Sequence, residues 1–128
     1  MTEETAEFDS RLNQRFAFIK RGGYFGKGLH TGVGPGWHEL IWKLCEDLEA
    51  LDLPETFAVV QIKEKFGGLR FYENQVTSES KKLIGDAEDK SMEICELCGK
   101  PGQLREQRPD GTRLSWIKTT CDEHWQEL

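Results

Sequence analysis

Apolar residues in the first half of the chain recur at helical intervals in two stretches. The first stretch, spaced by four, four and three residues, consists of Phe8, Leu12, Phe16 and Ile19. This spacing predicts one amphipathic helix that ends at Gly22. The second stretch has charged residues on its opposite face and consists of Trp37, Leu40, Ile41, Leu44, Cys45, Leu48 and Leu51. It predicts the principal core helix, in which Cys45 is a small buried hydrophobic residue.

The pattern then changes to two short β-forming runs, over residues 57–62 and 69–72, joined across Gly67 and Gly68. Because Gly-Gly accepts positive φ at both turn positions, we predict a hairpin in which Phe66 faces Leu69. In that register the face packed on the helices carries Ile62, Glu64, Phe66, Leu69 and Phe71. The opposite face is cationic and carries Gln61, Lys63, Lys65, Arg70 and Tyr72.

The last third of the chain predicts one more helix and one more hairpin. Thr77 and Ser78 are suited to begin a helix that runs directly into Cys95. A turn signal over residues 109–112 separates two strand-like stretches and predicts a second hairpin. We therefore expect an α+β fold in which helices pack on a small antiparallel hairpin or sheet.

Candidate metal ligands follow. Cys95 and Cys98, then Cys121 and His124 after a gap of 22 residues, form a C-x2-C…C-x2-H pattern. Two such pairs complete the tetrahedral shell of one zinc ion and leave no position for water or substrate, which predicts a structural site. A redox Cys-x-x-Cys pair and disulfides are the alternatives. Neither a secretory leader nor a long apolar run is visible, so we expect a reducing cytoplasm, which favours the metal.

The order of these elements is a tight turn over residues 95–99 that we call the knuckle, then the second hairpin, then a Cys-x-x-His pair that opens a short final helix. This is the order of a treble-clef zinc finger. We expect residues 1–94 to form a core of helices and hairpin, and residues 95–128 to form a treble-clef-like zinc module packed on it as one compact unit.

Composition narrows the possible partners. Of the 128 residues 31% are charged and 37% apolar, and the formal net charge of −6 repels polyanions. Nucleic acid is therefore a disfavoured partner, although Lys63, Lys65 and Arg70 beside Tyr72 are candidates for contacting phosphates or an acidic protein. The alternative interpretation is a solvated strand face whose lysines discourage edge pairing.

A glycine-rich segment over residues 22–36 is the remaining unusual feature, and it holds seven glycines. It lacks the glycine spacing and the Ser or Thr after Lys27 that a phosphate-binding loop requires, and no strand precedes it. We expect it to contact a partner through Tyr24, Phe25, Lys27 and His30. An enzyme built on this segment is a weaker alternative. A treble-clef nuclease is not supported, because residues 99–120 contain neither His nor Asn.

Three parts of the chain resemble an uncharacterised family of small bacterial and phage proteins. They are the Gly-Trp-x-x-Leu-Ile start of the second helix, the QIKEKFGGLRFY run at residues 61–72, and the C-terminal Cys-x-x-Cys-Gly…Cys-x-x-His. The resemblance covers residues 34–125. It implies a cytosolic treble-clef architecture and a bacterial or phage context, without supplying a mechanism.

The function expected from the sequence is a small zinc-stabilised domain that binds another protein. An inhibitor, an immunity factor, an anti-defence protein or an adaptor would fit, in the cytoplasm of a bacterium or of a phage-infected host. Aromatic anchors are available, since the chain has 4 tryptophans. A nucleic-acid-associated zinc protein is the main alternative. We assign no catalytic residues and expect no membrane association.

Overall fold

The computed structural model describes residues 2–23 and 28–128. In addition to one 3-10 turn, these residues contain five α-helices and four strands. In chain order they are α1 (Glu3–Arg15), α2 (Ala17–Gly22), α3 (His38–Glu49), β1 (Val59–Lys65), β2 (Gly68–Glu73), α4 (Ser78–Ser91), β3 (Gln103–Gln107), β4 (Arg113–Thr120) and α5 (Asp122–Trp125). The strands form two separate antiparallel pairs, β1 with β2 and β3 with β4. The predicted α+β class is confirmed.

The N-terminal stripe folds as two helices, so the prediction of one helix is wrong. The chain leaves the helical conformation at Phe16, where φ is −117° and ψ is 111°. On a continuous helix Phe18 would point away from Phe16, because two residues advance the helix by about 200°. The break turns both rings inward, and their centroids lie 5.6 Å apart in a stacked pair. Phe16, Phe18 and Ile19 are all buried.

The core helix α3 follows the predicted stripe. Ile41, Leu44, Cys45 and Leu48 are buried along it. Trp37 is fully buried one position earlier, in a single 3-10 turn over Pro35–Trp37 that leads into α3. Pro35 suits the first position of this turn, because its fixed φ is already helical and no N–H is lost there.

The predicted first hairpin is confirmed, but its turn lies one residue earlier. Lys65 pairs with Gly68, so the two turn residues are Phe66 and Gly67, with φ of 54° and 82°. Two positive φ values fit the strand twist, as in a type I′ turn. The observed register differs from the predicted one by two residues. Because this is an even number, the side chains stay on the faces predicted for them. The exception is Phe66, which was expected to be packed and is instead 66% exposed.

The outer edge of β2 is closed by side chains of α4. The N–H of Leu69 donates to Ser91 Oγ at 2.9 Å, and the N–H of Phe71 donates to the Glu88 carboxylate at 2.9 Å. These bonds satisfy backbone groups that would otherwise pair with a foreign strand. The hairpin is thereby fixed to α4, whose C-terminal end leads to the cysteines.

Residues 28–34 run in an irregular conformation along α1. The backbone N–H and hydroxyl of Thr31 both donate to the buried Asp9 carboxylate, at 3.1 and 2.7 Å. Asn13 accepts from the N–H of Leu29 and donates to its carbonyl, at 2.9 and 2.8 Å. This part of the glycine-rich segment therefore serves as packing against α1.

Candidate metal centre

The first pair of predicted ligands lies on a tight turn directly after α4. The N–H of Cys95 donates to the carbonyl of Lys100 at 2.8 Å, and the N–H of Gly99 donates to the carbonyl of Cys95 at 2.9 Å. Gly99 has φ of 83°, a conformation that side chains rarely adopt. The glycine after Cys98 is therefore what lets the chain reverse around the sulfurs.

The second pair lies where β4 gives way to α5. Cys121 is the residue that caps the N-terminus of α5, and its Sγ accepts from the N–H of His124 at 3.4 Å. A Cys-x-x-His pair on the first helical turn presents sulfur and imidazole from neighbouring positions. The helix N-terminus also carries a partial positive charge that favours a thiolate.

The structure brings the four predicted ligand atoms to within 4.8 Å of one another. Cys98 Sγ lies 3.7 Å from Cys121 Sγ, and His124 Nδ1 lies 3.6 Å from Cys95 Sγ and 3.3 Å from Cys121 Sγ. A tetrahedral zinc ion would place two sulfurs about 3.8 Å apart and a sulfur and a nitrogen roughly 3.6 Å apart. The spacing of the cluster is therefore compatible with a metal-binding site in which His124 Nδ1 faces the sulfurs.

The charges of the cluster also point to a cation. Burial raises the pKa of the Cys95 thiol, but hydrogen bonds from the backbone of Cys121, Cys98 and Leu97 outweigh it and hold that pKa below its ordinary value. Burial and the neighbouring sulfurs of Cys95 and Cys121 raise the pKa of Cys98. Neighbouring thiolates repel one another without a counter-charge, and a divalent cation removes that repulsion.

Arg105 is a buried residue beside the cluster that the sequence did not reveal. Its side chain is 7% exposed and donates to Asp122 at 2.7 Å and to the carbonyl of Thr120 at 3.3 Å. The guanidinium also lies 4.4 Å from the centre of the Trp125 ring. It therefore joins β3 to the start of α5 and positions the helix that carries His124.

The knuckle is attached to the core through the Gly34-Pro35-Gly36 segment. The N–H of Gly36 donates to the carbonyl of Glu96 at 2.7 Å, and the N–H of Gly34 donates to the carboxylate of Glu96 at 3.0 Å. A β-carbon at Gly36 would lie 1.9 Å from the carbonyl oxygen of Cys95. Glycine is required here for close backbone approach, a role that the composition alone did not indicate.

The first hairpin is attached to the second through its turn. Thr119 Oγ1 donates to the carbonyl of Gly67 at 2.6 Å, and both groups are buried. A β-carbon at Gly67 would lie 2.4 Å from Leu104 Cδ1. The N–H of Glu96 donates to the carbonyl of Thr119 at 3.1 Å, which links the same strand to the knuckle.

The residues predicted to contact a partner are in three places. Lys63, Lys65, Arg70 and Tyr72 lie on one face of the first hairpin, with Lys63 directly opposite Arg70. His30 lies beside α1, with its side chain 78% exposed and its Nδ1 3.9 Å from Asp9. Tyr24, Phe25 and Lys27 lie outside the described residues.

Comparisons with known proteins do not place the chain in a family. A scan against family models, a search of curated proteins and a search of solved structures each returned no match. Among the helices of residues 2–23 and 28–128, none has the length and apolar character needed to cross a bilayer.

Proposed function

We propose that Cys95, Cys98, Cys121 and His124 hold one structural Zn²⁺. The support is a set of three sulfurs and one nitrogen, a donor set that suits this ion, at spacings close to those of a tetrahedron. Four protein ligands close the shell, so the ion contributes folding energy and offers no vertex for chemistry. Elemental analysis of the purified chain tests this, with one zinc per chain expected.

The proposal extends to the organisation of the chain. Residues 95–128 form a treble-clef-like module, with knuckle, hairpin and short helix in that order, and residues 1–94 form the core beneath it. The hydrogen bonds of Gly36 with Glu96 and of Thr119 with Gly67 support a single compact unit. A rigid unit of this kind suits recognition of another macromolecule.

The proposed activity is binding of another protein. The observation that carries it is the exposure of two large aromatic side chains on the hairpins, Phe66 at 66% and Trp116 at 77%. Aromatic side chains contribute most of the energy in many protein interfaces, because they bury large areas at a small entropy cost. The biological setting that we propose is an inhibitor, immunity factor or adaptor in the cytoplasm of a bacterium or a phage-infected host.

Affinity capture tests the protein-binding role. The zinc-loaded chain and a variant with Phe66→Asn and Trp116→Ser would be immobilised and exposed to nuclease-treated bacterial lysate. We expect at least one protein to be retained in stoichiometric amount by the wild type and lost from the variant. Recovery of nucleic acid alone, or equal retention by both chains, would contradict the proposal.

A nucleic-acid-associated protein is a second candidate, and the cationic face of the first hairpin favours it. The net charge of −6 counts against it, because phosphate contacts on a single face must overcome repulsion from the rest of the molecule. A mobility assay across a salt series separates the two functions. Phosphate binding shifts an oligonucleotide and weakens linearly with the logarithm of salt concentration, whereas a chain that binds only protein shifts no oligonucleotide at any salt concentration.

A further inference from the structure

We propose that the first hairpin binds an acidic segment of the partner protein, with an apolar side chain of that segment seated against Phe66. The binding surface consists of Lys63, Lys65, Phe66, Arg70 and Tyr72, and is called the hairpin surface below. This inference rests on the proposed protein-binding function and specifies the chemistry of the partner.

Phe66 is the first indication. It is the only residue other than glycine with positive φ in the described part of the chain, and its ring is mostly in solvent. A left-handed conformation is unfavourable for a bulky residue, and Asn or Gly would avoid that cost in the same turn. A strained aromatic side chain that contributes little to the core is typical of a position used for binding.

The charge of the hairpin surface is the second indication. Lys63 and Arg70 are direct cross-strand partners, and like charges in that position destabilise a hairpin. Lys65 Nζ lies 5.5 Å from the centre of the Phe66 ring, and Lys63 Nζ lies 5.8 Å from that of Tyr72. The cations and rings thus form one continuous surface, on which a carboxylate would relieve the repulsion between the basic side chains.

The acidic residue of β1 does not neutralise this surface. Glu64 lies on the opposite face of the hairpin, where its carboxylate accepts from the N–H of Gly67 at 2.9 Å. Its negative charge is used to hold the turn. Among the residues of β1 and β2 on the face that carries Lys63 and Lys65, three are cations and none is a carboxylate.

Two further exposed apolar side chains lie near the turn. Leu104 is 41% exposed and lies beside Gly67, while Met92 is 38% exposed and lies beside Gly68. Together with Phe66 they place exposed apolar groups at the end of the cationic face. An apolar side chain flanked by carboxylates matches this order of groups.

An acidic peptide fits this surface better than a nucleic acid does. A polyanion gains affinity from many phosphate contacts, and the hairpin surface offers three cations on a chain of net charge −6. A short peptide engages only charges within about 8 Å at physiological salt, so the acidic remainder of the molecule affects it little.

Fluorescence anisotropy with synthetic peptides tests the inference on the zinc-loaded full chain. The probe is a fluorescein-labelled peptide of eleven residues with a central Phe flanked by Glu and Asp. Matched peptides replace the acidic residues by Lys, or the Phe by Ser, and a twelve-nucleotide oligothymidylate serves as the nucleic-acid arm. We expect the acidic Phe peptide to bind at least tenfold more tightly than each of the other probes.

Two variants locate the binding site. Phe66→Asn should weaken binding of the acidic Phe peptide at least tenfold while leaving the chain as stable as the wild type, because Asn-Gly is favoured in a type I′ turn. Lys63→Glu should weaken it by a similar factor. The matched control is Lys82→Glu, a charge reversal on α4 where the lysine is 77% exposed, and it should change the affinity less than twofold.

Three results would overturn the inference. The first is equal affinity for acidic and basic peptides, and the second is unchanged binding by Phe66→Asn. The third is tighter binding of oligothymidylate than of any peptide, lost in Lys63→Glu, which would also refute the proposed function. If a protein captured from lysate binds Phe66→Asn as well as wild type, the inference fails while the protein-binding function stands.

Discussion

The indole of Trp37 donates from Nε1 to the carbonyl of Ile94 at 2.9 Å. This bond joins the start of α3 to the residue immediately before the first candidate metal ligand, Cys95. Trp37 is fully buried, so its ring packs in the core while its one polar atom fixes the knuckle. The position of the metal cluster therefore depends on the packing of the helical core.

Trp37→Phe should destabilise the chain by roughly 1–3 kcal/mol, because the carbonyl of Ile94 loses its buried donor. The smaller ring adds a cavity cost in the same direction. Urea unfolding of the zinc-loaded protein measures the effect. Trp116→Phe is the control, since that side chain is 77% exposed and a surface change should stay within about 0.5 kcal/mol. Equal effects of the two substitutions would contradict the role assigned to Trp37.

The cysteines should differ in whether their substitution removes zinc. Cys121→Ala should abolish stoichiometric zinc and lower the unfolding midpoint, because an incomplete shell binds the ion weakly and metal binding is part of the folding energy. Cys45→Ala should retain one zinc per chain, since Cys45 is buried in the core away from the cluster. Elemental analysis and urea unfolding check both variants.

Thiol labelling offers an independent measurement of the same division. Burial raises the pKa of the Cys45 thiol, so it is held protonated and inaccessible in the native state. With zinc bound, all four thiols should react slowly with a disulfide reagent. Removal of the metal by a chelator should expose three of them, and the fourth should react only after denaturation. Rapid labelling of Cys45 in the native holoprotein would show that the core is open.

Much of this arrangement follows from local sequence signals. The spacing of Cys95 with Cys98 and of Cys121 with His124 is sufficient to indicate that they share a site, because few other structures need that pattern. The stripe of α3 is equally direct. These signals are local in the chain, so they can be interpreted without knowledge of tertiary contacts.

Structural features that depend on tertiary contacts could not be predicted from local sequence patterns. The periodicity of the N-terminal stripe gave no indication of the break at Phe16, which serves to bury Phe18 as well. The Gly-Gly pair predicted a turn at residues 67 and 68, whereas the observed turn consists of Phe66 and Gly67. Gly67 also lets Leu104 approach the turn closely. Arg105 looked like any basic strand residue, since its burial depends on Trp125 and Asp122 from a later element.

Gly67 and Gly111 form a matched pair for testing the contact between the hairpins. Both have positive φ, 82° and 90°, so alanine should cost each position about 1–2 kcal/mol of backbone strain. At Gly67 the new methyl would also lie 2.4 Å from Leu104 Cδ1, whereas nothing lies within 4 Å of it at Gly111. Gly67→Ala should therefore lower the free energy of unfolding more than Gly111→Ala does. Equal losses in urea unfolding would contradict this expectation and show that the flexible end of Leu104 turns aside for the new methyl.

His38 should make stability depend on pH below neutrality. Its ring stacks on Phe8 with centroids 3.9 Å apart, and its Nε2 is buried without a hydrogen-bond partner among the described residues. Burial lowers the pKa of His38, although the backbone of Val33 and the carboxylates of Glu4 and Asp9 act in the opposite direction.

The sign of the effect follows from which state binds the proton. The unfolded chain takes it up at the ordinary pKa of a histidine and the folded chain only at a lower pH, so acidification favours unfolding in that interval. His38→Phe removes the titration and keeps an aromatic ring against Phe8. The free energy of unfolding of both proteins is measured in urea from pH 7.5 down to pH 5.5. As the pH falls, the value for the variant should increase relative to that of the wild type. A constant difference between the two proteins over this range would show that His38 takes up its proton equally in both states.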